Sequence, residues 1–250
     1  RMGYMFNYNS AGERMANNTI KSNSFSIRAG LESAGNVMYA ISNLTKQSKN
    51  SDGEYSLLSI PYAQYVKGDF DFSRNIVIDD KNAIAYHVGV GIAVPYGNSK
   101  SIPYIKQYFS GGANSVRGWS VRELGPGSFP GDGNYLNQSG DIKFDASIEY
   151  RSKLFWLLQG ALFVDAGNIW TIKEYENQPG GQFDISKFYK QIAFAYGLGI
   201  RIDLDYLVFR IDGGMKALNP AYSSGKQRYP ILNPNFKRDF TFHLAVGYPF

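Results

Sequence analysis

The residues best placed to do chemistry in this sequence gather around one arginine. Phe109 to Phe129 read Phe-Ser-Gly-Gly-Ala-Asn-Ser-Val-Arg-Gly-Trp-Ser-Val-Arg-Glu-Leu-Gly-Pro-Gly-Ser-Phe, a glycine-dense stretch centred on Val116, Arg117, Gly118 and Trp119. Gly111 and Gly112 open backbone conformations closed to other residues. A phosphate-binding loop is excluded, because no Gly-Lys-Ser/Thr ending follows a buried strand and leads into a helix. A flexible surface loop would account for the glycine and serine. It leaves Val116, Trp119, Val121 and Leu124 without anything to pack on, and unstructured connections of this length are uncommon. An arginine carried out of water with them needs an acidic partner.

Two acids are positioned to supply one: Glu149, in Ser147-Ile148-Glu149-Tyr150-Arg151, and Asp165, in Phe163-Val164-Asp165-Ala166-Gly167-Asn168. Bidentate pairing of a guanidinium with a carboxylate would make such a clamp specific. The pattern equally admits two acids that line a wet lumen. His87 and His243 lack further ligands at metal spacing. Asp132-Gly133-Asn134 lacks the remaining calcium positions and reads as a turn. No serine, histidine and acid order stands out, so neither an enzyme nor a cofactor is expected.

The elements that must hold these groups are strands. From Ile142, the residues Ile142, Phe144, Ala146, Ile148 and Tyr150 alternate with Lys143, Asp145, Ser147, Glu149 and Arg151, a two-faced strand with Glu149 on its inward side. From Ile192 to Asp203, large apolar residues alternate with Ala193, Ala195, Gly197, Gly199, Arg201 and Asp203. Seven more segments fit: Arg1 to Tyr8, Ser24 to Ser33, Leu57 to Phe72, Ala83 to Val94, Leu157 to Ala166, Leu207 to Lys216 and Phe240 to Phe250. If Asp165 points inward, so do Gln159, Ala161 and Phe163, which leaves Leu162 and Val164 for lipid. Most of these strands run about 9 to 12 residues, enough to cross a bilayer at a tilt, where a globular strand is nearer five or six. Short links at Ser152 to Trp156 and Leu204 to Tyr206 alternate with long ones at Gly167 to Gln191 and Ala217 to Asp239, as in barrels with short periplasmic turns and long external loops. Counting back makes Pro95 to Asp141 and Ala34 to Ser56 external, and Asn9 to Asn23 periplasmic though long.

The composition agrees. Among 250 residues are 19 Tyr and 17 Phe, charged residues are only 19%, and there is no cysteine. The missing thiols exclude disulfides, Cys-ligated zinc, iron–sulfur clusters and a thiol nucleophile. A helical span would need about 18 consecutive apolar residues, and the most apolar stretch, Phe155 to Val164, is broken by Gln159 and Gly160. The net charge of +5 is scattered rather than clustered, so nucleic acid is not an expected partner. The mean hydropathy of -0.30 fits a polar lumen and long loops around a lipid-facing wall. The nine strands make an odd number and the first begins at Arg1, so a piece carrying an export signal and earlier strands is expected before it.

Gly-Gly, Val-Arg-Gly-aromatic, Ser-Ile-Glu-Tyr-Arg, Phe-Val-Asp-Ala-Gly-Asn, a Gly-Leu-Gly-Ile strand and a terminal Phe occur here in order. The set resembles the C-terminal barrel of the BamA/TamA outer-membrane assembly superfamily over about residues 84 to 250. The Arg-Glu-Leu-Gly-Pro-Gly-Ser-Phe stretch further resembles the TamL-type branch of Bacteroidota. The resemblance implies an all-β fold, a transmembrane antiparallel barrel of sixteen strands of which residues 1–250 hold the last nine. POTRA domains and the earlier strands would precede them. The external loop at about 95–141 would tuck into the lumen, with its tip (Val116, Arg117, Gly118, Trp119) locked by Arg117 on Glu149 and Asp165. Trp119 departs from the commoner Phe or Tyr, which changes packing at the tip.

The last segment turns Phe240, Phe242, Leu244, Val246, Tyr248 and Phe250 to one face. A lipid-facing strand explains that. The resemblance adds that Phe242, Leu244, Val246, Tyr248 and Phe250 form the aromatic C-terminal signal read by strand pairing, and that this strand closes an openable seam. Pro249 cannot donate to a ladder, so pairing should weaken at the end. The implied protein resides in the bacterial outer membrane and helps insert, assemble or translocate other proteins. Its expected partners are outer-membrane lipid, nascent outer-membrane or exported proteins as clients, and periplasmic or envelope proteins. A two-partner-secretion or passive pore is the competing reading.

Overall fold

The computed structural model describes residues 2–10, 23–204 and 206–250. Its main feature is one antiparallel sheet of nine strands. In sequence order they are β1 (Met2–Ser10), β2 (Ser24–Ala34), β5 (Tyr65–Val77), β6 (Asn82–Pro95), β7 (Ile142–Phe155), β8 (Leu158–Trp170), β9 (Ala193–Asp203), β10 (Val208–Leu218) and β11 (Phe240–Val246). Each pairs with the next, and β1 and β11 are the sheet's edges among the described residues. A small hairpin of β3 (Ser56–Leu57) and β4 (Ile60–Pro61) and the helix α1 (Asn36–Leu44) lie between β2 and β5; the short helix α2 (Phe236–Asp239) leads into β11.

The period-two pattern becomes two unlike faces. Leu162, Val164, Leu198, Ile200, Phe242 and Leu244 stand exposed on the outer face, while Glu149, Asp165, Arg201 and Asp212 are fully buried on the inner one. Registers align the inner residues in rows across the strands. One row runs Ala85, Glu149, Phe163, Gly197, Gly214, Thr241; a second runs His87, Ser147, Asp165, Ala195, Lys216; a third runs Arg151, Ala161, Gly199, Asp212, His243. Charge therefore gathers on the inner face of β7 to β10. The long connections 96–141, 171–192 and 219–239 leave one end of the sheet, and tight turns such as 204–207 close the other.

Several boundaries differ from the sequence reading. Leu57 to Phe72 is not one strand: Leu58 and Ser59 adopt left-handed backbone angles (φ 50° and 66°) that turn the β3–β4 hairpin, and β5 starts only at Tyr65. Strand β8 continues past Ala166 to Trp170, and the fourth and fifth strands are longer than read. Helix α1 had no signal in the period-two pattern. The last strand ends at Val246, because Gly247 (φ 85°) turns the chain and Pro249 has no N–H to continue the ladder. Tyr248 and Phe250 therefore do not share the outer face with Phe242, Leu244 and Val246. Of the long connection read at Asn9 to Asn23, residues 11–22 lie outside the described residues, as does Arg1.

Candidate functional site

The segment after β6 returns toward the sheet and carries its tip onto the inner wall. Two glycines make the return. Gly111 and Gly112 have φ of 95° and 92°, and the Gly112 N–H donates to the Trp119 carbonyl at 2.8 Å. A side chain on Gly111 would strike the Ser120 carbonyl oxygen, its Cβ falling 2.2 Å away. Bridges Tyr108–Gly140 and Ser110–Leu124 fix the stem. The Val116–Trp119 turn is closed by the Trp119 N–H on the Val116 carbonyl, at 3.2 Å.

Arg117 meets both acids singled out in the sequence. Its Nε donates to Asp165 Oδ2 and its Nη2 to Asp165 Oδ1, each at 2.8 Å, a bidentate pair. The Arg117 backbone N–H adds a third bond to Asp165, at 3.0 Å. Nη1 reaches Glu149 Oε2 at 2.6 Å, and Nη2 donates to Ser147 Oγ, which itself donates to Asp165 Oδ1 at 2.6 Å. The guanidinium lies 3.5 Å above the centre of the Phe163 ring. Arg117, Glu149 and Asp165 are at most 1% exposed. A buried charge of this kind is tolerated only with nearly complete pairing, and removing one partner typically costs about 3–5 kcal/mol.

The cluster extends beyond the residues picked from the sequence. Arg201 donates to Glu149 Oε2 at 2.9 Å and to Asp212 Oδ1 at 2.5 Å. Arg151 Nε reaches Glu149 Oε1 at 2.8 Å, and Arg210 Nε lies 3.0 Å from Asp212 Oδ2. Arg210 also grips the loop, its Nη2 donating to the Ala113 carbonyl at 2.8 Å and to Asn114 Oδ1 at 2.5 Å. Four guanidiniums thus share the carboxylates of Glu149, Asp165 and Asp212. The period-two pattern had put Arg201 on the inward face, but which cation meets which acid depends on register, which that pattern does not carry.

Backbone contact and apolar packing complete the seat. Val116, Trp119 and Leu124 form a buried cluster with Ala193 and Ala195 of β9. Lys216 sits 5.2 Å from the Trp119 ring and pairs with Glu123 at 2.8 Å. Gly118 is needed because a Cβ there would lie 2.8 Å from Ala195 Cβ. Gly214 of β10 is needed more strictly: its Cβ would lie 2.0 Å from the Arg117 carbonyl oxygen. From β11, Thr241 Oγ donates to the Gly118 carbonyl at 3.0 Å, and His243 Nε2 bonds the Arg117 carbonyl at 2.9 Å.

The C-terminal residues divide. Phe242, Leu244 and Val246 stay on the exposed outer face of β11. Tyr248 and Phe250 instead meet inner-wall groups: Arg151 stacks 4.4 Å from the Tyr248 ring, and Phe250 stacks on His87 with ring centres 5.4 Å apart. His87 also lies between Asp71, at 2.7 Å, and Asp145, at 3.3 Å. Asp132 Oδ1 accepts from the Asn134 N–H at 2.9 Å, an Asx turn.

A family model described as the Omp85 superfamily domain matches residues 7–250. The outer membrane protein assembly factor BamA of Neisseria meningitidis serogroup B is 35% identical over 97 residues, 35% of this chain and 12% of that protein. The sorting and assembly machinery component 50 homolog of Mus musculus is 25% identical over 166 residues, 60% of this chain and 34% of that one. The crystal structure of BamA from Haemophilus ducreyi lacking POTRA domains 1–3 aligns with a TM-score of 0.49 and 15% identity, covering 98% of this chain and 53% of that chain. The chain thus spans 12% and 34% of the length of the two curated relatives.

Proposed function

The chain belongs to the Omp85 superfamily and is an outer-membrane β-barrel protein, and on that footing we propose that it assists the insertion, assembly or translocation of other proteins at the bacterial outer membrane. A loop locked in the lumen and a lateral seam at β11 would do this work. The observation that carries the reading is the complete enclosure of Arg117 by Asp165, Glu149 and Ser147, a costly arrangement that an ordinary surface loop has no use for. β11 suits a seam because it is the shortest strand of the described sheet, seven residues beside eleven in β9 and β10, so less main-chain pairing has to be exchanged for a client strand to add there. The clients would be nascent outer-membrane or exported proteins that pair with that edge.

The sequence of the loop base, Arg122-Glu123-Leu124-Gly125-Pro126-Gly127-Ser128-Phe129, supports placement in the TamL-type branch of Bacteroidota, with POTRA domains and earlier strands in the same protein and envelope proteins as partners. Arg117→Ala in the full protein should leave the barrel inserted while client assembly falls, read by the folded fraction of a reporter barrel in depleted cells. Wild-type rescue by Arg117→Ala would refute the locking role. A steady, wide conductance of the intact protein in planar bilayers would refute the assembly reading in favour of a pore.

A further inference from the structure

β11 is held from two directions. Its main chain pairs with β10 from Phe240 to Val246, and on its inner face two side chains, Thr241 and His243, reach the loop tip. Alternation along a strand puts residues two apart on one face, so both can address successive carbonyls, those of Gly118 and Arg117. A carbonyl only accepts, so His243 Nε2 carries the proton and donates. The Arg117 carbonyl faces the sheet because Gly214 leaves room for it. The tip is in turn fixed on β7 and β8 through Glu149 and Asp165. A continuous path therefore runs from the carboxylates of β7 and β8, through Arg117 and Gly118 of the loop, to the last strand, passing over β9 and β10.

We propose that Thr241 and His243 are positioning residues that latch the last strand to the seated loop tip, so that the tip and the edge strand are released together. This deepens the proposed function, since it rests on the reading of β11 as a seam strand. The Arg117 guanidinium bonds no side chain of β11, so its removal affects that strand only through the tip. If Thr241 and His243 merely satisfy stray carbonyls, unseating the tip leaves β11 as it was.

The test is amide hydrogen exchange of residues 240–246 in the full protein in lipid nanodiscs. Thr241→Val with His243→Leu removes both donors and should speed exchange roughly tenfold, the effect of losing two ordinary hydrogen bonds. His243→Gln, which keeps a donor, should restore much of the protection in the Thr241→Val background. Arg117→Ala should speed β11 exchange by a similar factor, and combining it with the double substitution should add nothing, because both act on one contact. Arg117→Lys gives the same comparison if the alanine variant does not insert. Wild-type exchange of β11 in a variant whose 109–129 segment is demonstrably unseated overturns the proposal, as does a fully multiplicative effect in the combined variant. The readout involves no client, so a failed assembly assay and a failed latch are separate results.

Discussion

The loop tip and the last strand lie against each other and are secured by opposite means. The tip is held by charge: Arg117, Glu149 and Asp165 are sealed from water, and separating them leaves ions stranded in a medium that cannot solvate them. β11 is held mostly by main-chain pairing with β10 over seven residues, with two side-chain bonds to the tip and an exposed apolar outer face. The first arrangement is rigid because every alternative is expensive. On the proposed function the second is the exchangeable one, since another strand could offer the same hydrogen bonds. One wall thus carries a charge-fixed point beside a strand held mostly by its main chain, and the difference is set by inward-facing residue type rather than by the fold.

The strongest way to break this contrast is steric. Gly214→Val places a Cβ 2.0 Å from the Arg117 carbonyl oxygen and should unseat the tip at a cost above about 4 kcal/mol, while Gly68→Val in the same sheet, where a Cβ meets nothing within 4 Å, should cost less than about 0.5 kcal/mol. Limited proteolysis of the 109–129 segment distinguishes them. Glu149→Gln comes next, because one carboxylate serves Arg117, Arg151 and Arg201, and the loss should approach about 3 kcal/mol in denaturant unfolding. Tyr248→Ala removes the ring under Arg151 of β7 and should cost only about 0.5–1 kcal/mol, read as slightly faster exchange in β7 and β11.

Glu123 marks the small end. Burial disfavours its carboxylate, but the Lys216 ammonium and the Ser120 N–H together outweigh that and hold it below the ordinary value of 4.5. The pair's contribution is present above that value and is lost as pH falls below it. Because Glu123 is 39% exposed, Glu123→Gln should change loop protection by no more than about 0.5 kcal/mol at neutral pH, and by nothing measurable at low pH.

Much of this contrast was legible in the residues. Alternation placed Glu149 inward and tied an inward Asp165 to an outward Leu162 and Val164, because in a strand parity decides the face. It could not find Asp212 or Arg210 as partners, since their meeting depends on the register of strands whose pairing the sequence does not state. The same rule misled at Tyr248 and Phe250, where alternation continues through a glycine at positive φ and a proline that ends the strand. It also ran Leu57 to Phe72 together, because the left-handed turn at Leu58 and Ser59 carries no glycine to announce it.

The central claim is that charge buried on the wall keeps the tip seated. These 250 residues contain no cysteine, so Val116→Cys places one thiol among them, at the tip, and its labelled peptide reports on the tip directly. Val116 is 0% exposed, and its thiol should resist a membrane-impermeant maleimide in the otherwise unaltered protein and label at least tenfold faster once Arg117→Ala is added. Rapid labelling with Arg117 intact, or equal protection without it, would contradict the account.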